Sequence, residues 1–126
     1  MRAAADRVDD PRDKVLAVFT VTADDITRPT FRGCPMLNTH TEFPDAGHPA
    51  HAVAVTHKQE VRSWLLELVE QAGARQPATL ADELLLVLNG TLATAAVLGP
   101  DGPARQGLAL ARSLLAASCG GTASDG

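Results

Sequence analysis

An excess of basic charge is missing from this sequence, as are paired cysteines and every short motif that announces catalysis. The formal charge is -4 and the pI is near 5.4, which leaves no electrostatic footprint for nucleic acid or for an anionic membrane surface. Nucleic-acid binding by this chain alone is therefore excluded from the expected functions. Its two cysteines, Cys34 and Cys119, stand far apart, and neither belongs to a CxxC pair, so neither a disulfide framework nor a zinc or redox motif is indicated. A reducing, cytoplasmic setting is expected. Residues 1–14 are too charged for a signal peptide. No apolar run is read as reaching the roughly 20 residues needed to cross a bilayer, so no membrane association is expected. GxSxG, P-loop and GxGxxG patterns are all absent. No enzymatic activity and no cofactor are expected.

What is present is length enough for one domain and apolar content enough to fold it, at 126 residues and 45% hydrophobic side chains. Proline and glycine punctuate the chain into helices. Asp10 is a good N-cap, Pro11 suits the first helical position, and Asp13 places a carboxylate near the positive helix end. That helix carries Val15, Leu16, Phe19 and Ile26 and stops at Pro29. A short helix is predicted from Pro35 to about Phe43, with Met36, His40 and Phe43 on one face. A third starts at Pro49 and ends just before Gly73, with the stripe Val53, His57, Val61, Trp64, Leu65, Leu68 and Ala72.

The fourth helix, from Pro77 to the stop at Gly99-Pro100, has two apolar sides. Leu80, Leu84, Leu88, Thr91 and Ala95 form one, widened by Leu85 and Leu92, and Leu86, Gly90, Ala93 and Val97 form another nearly opposite. One side can be covered by the chain's own helices; the other asks for a partner. The last helix, about Pro103 to Ala117, presents Leu108, Ala111, Leu114 and Leu115, and a small polar tail follows. No run alternates with period two, so the expected class is all-α with about five helices.

All four histidines, His40, His48, His51 and His57, cluster in sequence with Cys34, Glu42 and Asp45 nearby. A zinc or copper site is the sharp reading, but no HxxxH or HExxH pair exists and the spacings scatter the rings over different faces. His48 reads as a capping residue before Pro49, and His51 as a first-turn side chain. His57 is either a hydrogen-bonded core histidine or a polar point in a cavity. Cys34 and His57 as nucleophile and base lack an orienting carboxylate and an oxyanion hole in the local sequence, so Cys34 reads as structural. Arg105 and Arg112 read as a solvated edge, and Trp64 as core.

The succession DPRDKVLAVF, FRGCPMLNTHTEFPD, GHPAHAVAVTHKQEVRSWLLELVEQAGA and a Leu-rich helix with LNGTL resembles the C-terminal regulatory domain of TetR-family transcriptional regulators. Such a domain is an all-helical bundle that binds a small molecule and dimerises through its last two helices, while an N-terminal helix-turn-helix reads an operator. The resemblance implies a remnant of the linking helix at 1–8, the regulatory domain at 9–117 and a disordered tail at 118–126. It places Met36, His40, Phe43, His57, Val61, Leu84 and Leu88 around a ligand pocket. It assigns Leu86, Gly90, Ala93, Val97, Leu108, Ala111 and Leu115 to the dimer interface. The implied partners are a second copy of the chain and a small apolar or amphipathic effector, with nucleic acid reached only through a DNA-reading head that these residues do not include. Asp24-Asp25 and Thr39-His40-Thr41 depart from the more apolar residues of the pattern. The alternatives are a standalone helical dimerisation module that antagonises a full-length relative, and a metal-binding helical protein.

Overall fold

The computed structural model describes residues 2–34, 38, 42 and 45–119. Among these residues the chain forms five α-helices and one 3-10 turn: α1 (Arg2–Ala5), α2 (Pro11–Asp25), α3 (Pro49–Gln71), α4 (Pro77–Leu98), the 3-10 turn (Pro103–Gln106) and α5 (Gly107–Cys119). The short helix expected from Pro35 to Phe43 lies largely outside the described residues.

Local chemistry explains where the helices begin. The Asp10 carboxylate accepts from the backbone N–H groups of Arg12 at 2.8 Å and Asp13 at 3.4 Å, with Pro11 in the first turn of α2. His48 caps α3 through Nδ1, which accepts from the Ala50 N–H at 3.0 Å, again with a proline following. These side chains satisfy donors that a helix start leaves without intrahelical partners. α4 ends where Gly99 turns to a φ of 84°, a conformation that costs glycine little.

α4 is the spine, packing on α2, α3, the 3-10 turn and α5. Its inward face is Leu80, Ala81, Leu84, Leu88, Thr91 and Ala95, all buried. Around it gather Val15, Val18 and Phe19 of α2, Val61, Leu65, Leu68 and Val69 of α3, and Ala111, Leu115 and Cys119 of α5. A smaller cluster of Ile26, Ala95 and Ala104 forms towards the other end of α4. The start of α5 lies so close to α4 that a Cβ on Gly107 would come within 2.3 Å of Thr91 Oγ1. Only glycine fits that crossing.

By length and composition alone Pro77–Leu98 is the one helix among the described residues apolar enough to cross a bilayer, and a third of its most apolar stretch is buried within the fold. The apolarity has a local cause: one side of this helix fills the core while the other is also aliphatic. The last helix runs two residues past the expected end at Ala117, while residues 120–126 lie outside the described residues. α5 continues through Ser118 to Cys119, whose side chain is buried. Arg75 holds this end in place, its backbone N–H donating to the Ser118 carbonyl at 3.2 Å and its guanidinium donating to the Ala117 carbonyl. A helix whose last carbonyls are so capped does not fray at that point.

Candidate functional site

A cavity of about 540 Å³ opens between the end of α2, the turn at 30–34, α3 and α4, within the size range of small-molecule sites. Its apolar wall is Phe31, Val61, Leu88 and Leu92. Asp25, Arg28, Arg32, His57 and Lys58 supply charged or polar groups, and Cys34 lies between the two sets.

The turn is shaped by its own hydrogen bonds. Phe31 N–H donates to the Arg28 carbonyl at 3.0 Å, and Arg32 Nη1 donates to the carbonyls of Pro29 and Phe31 at 3.1 and 3.0 Å. The Asn38 amide donates to the Arg32 carbonyl at 2.9 Å. These bonds press Phe31 inwards, where it packs on the small cluster with Leu92. Asp25 and Arg28, one helical turn apart, form an ion pair at 3.5 Å.

Lys58 is the chief polar group of the site. Its ammonium donates to Asn89 Oδ1 at 2.7 Å and to Cys34 Sγ at 3.2 Å, tying α4 and the turn to α3. Its position follows from the register of α3, whose buried residues include Ala54, Val61, Leu65 and Leu68. Position 58 falls on that stripe, four residues after 54 and three before 61, and the long alkyl stem carries the part-buried ammonium across to α4 and the turn. The stripe predicted through Val53 and His57 is shifted by one position, since Val53 is 59% exposed. His57 is half-buried and still lines the cavity.

Of the predicted pocket residues, His57, Val61 and Leu88 lie on the cavity wall. Leu84 does not. It is fully buried in the main core, because it sits one turn further into the packed half of α4. Met36, His40 and Phe43 lie outside the described residues. Sequence reasoning missed Lys58, Arg28 and Leu92 as cavity residues, whereas Phe31 and Arg32 open the stretch FRGCPMLNTHTEF that the family resemblance implies as pocket wall. One signal was available for Lys58, a charged side chain at helical spacing from Ala54, Val61 and Leu65. Among the described residues no group of three His, Cys, Asp or Glu side chains is arranged to hold a metal ion.

A second surface lies on the far side of α4. Leu86 is 72% and Val97 82% exposed, with Gly90 and Ala93 exposed between them, and Leu110 of α5 adds to the exposed aliphatic surface at 51%. Ala111 and Leu115, expected in an interface, are instead buried in the chain's own core, and Leu108 packs on that core half-buried. The cause is the stripe Gly107, Ala111, Leu115 and Cys119, four residues apart, which turns inwards and leaves Leu110 outside. Elsewhere on the surface, Arg62 pairs with Asp82 at 2.5 Å. That hydrogen bond and the opposite charge raise the Arg62 pKa above its ordinary value.

Residues 11–110 match the family model described as tetracyclin repressor-like, C-terminal domain. The chain is 29% identical over 87 residues to the HTH-type transcriptional regulator YjdC of Escherichia coli K12, covering 69% of this chain and 46% of that protein. It is similar in structure to SCO4454, a TetR-family transcriptional regulator from Streptomyces coelicolor, with a TM-score of 0.87, 27% identity, and coverage of 93% of this chain and 58% of that one. A second solved structure, the TetR-type regulator sav143 from Streptomyces avermitilis, gives a TM-score of 0.79 at 31% identity, covering 87% and 60%. The chain thus spans about half the length of the curated relative it matches. With the helical order, the spine helix and a match along residues 11–110 in agreement, this chain belongs to the TetR family of transcriptional regulators, as a C-terminal domain of that family.

Proposed function

We propose that this domain binds a small effector in the cavity beside Lys58 and pairs with a second copy through the outer face of α4 together with Leu110 of α5. The observation that carries this reading is that both features share one helix. Leu88 and Leu92 line the cavity, while Leu86, Gly90, Ala93 and Val97 project from the opposite side. A ligand that favoured one setting of α4 would favour one geometry of the pair, and only that difference in affinity would shift the equilibrium. In a longer regulator bearing a DNA-reading head, such a shift would change the spacing of the two recognition elements and so the fit to an operator. The setting is cytoplasmic, and the chemistry is binding rather than turnover.

Gly90 supports the pairing. A Cβ there would meet nothing within 4 Å in the single chain, so its small size answers no need within the fold and suits close approach by another helix. Sedimentation equilibrium tests the reading: the chain is expected to be a dimer at micromolar concentration, and Leu86→Glu or Val97→Asp a folded monomer, since a charge in a closed seam would be buried without a counter-ion. A wild-type chain that stays monomeric at high concentration would reject the interface. At the cavity, His57→Phe is expected to alter the melting shift given by a bound small molecule more than the melting temperature of the unliganded chain, measured by differential scanning fluorimetry.

A further inference from the structure

The charges around the cavity do not cancel. Three cationic side chains, Arg28, Arg32 and Lys58, face it against one carboxylate, Asp25. Asp25 is taken up by Arg28. Among the described residues the only other ion pair joins Arg62 to Asp82, so neither Arg32 nor Lys58 has a carboxylate partner among them. The acids of α4, Asp82 and Glu83, lie nearer its other end than Leu88 and Leu92 do. Between Cys34 and Asp45 the sequence offers one carboxylate, Glu42, which is exposed.

Lys58 is the more telling of the two cations because it is part-buried. Its acceptors, Asn89 Oδ1 and Cys34 Sγ, are an amide oxygen and a sulfur, and neither supplies the opposite charge that offsets desolvation of an ammonium. An ammonium has three N–H donors; two are directed to these atoms, and the third remains for a ligand. Beside this cation the wall is hydrocarbon, from Phe31, Val61, Leu88 and Leu92. A bare inorganic anion would leave that wall wet, and a neutral apolar molecule would leave the ammonium without a counter-ion.

We infer that the cavity takes an amphipathic organic anion, its carboxylate seated on Lys58 Nζ and its apolar body against Phe31, Val61, Leu88 and Leu92. This inference rests on the cavity being a ligand site, as proposed above. Arg32, exposed at the mouth, attracts the anion from solution, and the low-dielectric wall strengthens its attraction to Lys58.

Isothermal titration of the whole chain with 2-naphthoate and its near-isosteric neutral analogue 2-naphthamide tests this. Naphthoate is expected to bind about ten-fold or more tightly than the amide, the size of effect that charge-assisted hydrogen bonding gives in a partly buried site. Lys58→Met is expected to remove that preference by weakening naphthoate alone, and Lys58→Arg to keep it. Arg62→Gln, remote from the cavity, is expected to leave the ratio unchanged. Equal binding of the two probes by the wild type, or an equal loss of both in Lys58→Met, overturns the anion inference while leaving the ligand site standing. If neither probe binds at millimolar concentration, the ligand-site reading itself fails and this inference falls with it. Should Lys58→Met fail to fold by circular dichroism, the wild-type ratio together with Lys58→Arg decides the matter.

Discussion

The two halves of α4 are packed differently. Around Leu80 and Leu84 the helix is enclosed by α2, α3 and α5, and Phe19, Leu65 and Leu115 are almost wholly removed from solvent. Around Leu92 and Ala95 its neighbours thin to Ile26, Ala104 and Phe31, and beside them lies a 540 Å³ cavity rimmed by charge. Both ends are built on one continuous aliphatic face, so hydrophobicity alone does not distinguish the half that stabilises the fold from the half that leaves room. The difference comes from what is brought against the helix: packed helices in one case, the turn at 30–34 and a lysine in the other.

Truncating a side chain at each end breaks or sharpens this contrast most directly. Leu84→Ala is expected to cost about 2–5 kcal/mol in urea unfolding, because the enclosed site cannot collapse around the missing atoms. Leu92→Ala, beside space that already exists, is expected to cost under about 1 kcal/mol and to show itself in ligand binding instead. Similar losses at the two positions would erase the distinction. Next in size is Gly107→Val, which drives a side chain into Thr91 and is expected to cost about 1–3 kcal/mol, with part of that recovered in a Gly107→Val, Thr91→Ala double variant. Leu86→Glu should barely move the stability of the single chain, within about 0.5 kcal/mol, even though it is expected to abolish pairing.

The smallest effect is expected from pH. Burial raises the Cys119 thiol above its ordinary value of 9.0, against the lowering influence of Arg12 and Arg75. The folded chain therefore holds this proton more tightly than the unfolded chain does. Its contribution to stability is complete below pH 9.0 and is lost as pH climbs through the raised folded value. The urea midpoint of the wild type should fall over that alkaline window, and Cys119→Ala should flatten the fall.

Much of the architecture was legible because this chain marks its helix ends plainly. Asp10-Pro11, His48-Pro49, Pro77 and Gly99 delimit α2, α3 and α4, and the two apolar sides of α4 are evident from spacing alone. α5 was less legible. Leucines and alanines occur on all its sides, so periodicity could not tell that Ala111 and Leu115 turn inwards while Leu110 turns out. The phase of α3 was misjudged only in its first turns, for a related reason: Val53 looks like a core residue but projects to solvent, and there the stripe passes through Ala54 and Lys58 before rejoining the expected Val61, Leu65 and Leu68. The cavity was legible only in part, since Arg28, Lys58 and Leu92 come from segments that meet only once the chain has folded. Nothing local in the tail sequence signals that Arg75 will reach the end of α5.

Trp64 sits on α3 beneath the guanidinium of Arg2, whose Cζ lies 4.8 Å from the ring centroid. Because the chain has no tyrosine and no second tryptophan, its ultraviolet emission comes almost wholly from this one indole. The emission of the unlabelled chain thus reports on whether the N-terminal helix stays docked, from the same helix that carries His57 and Lys58. Movement of that segment when the cavity fills would be visible as a change in intensity or colour, with no dye attached.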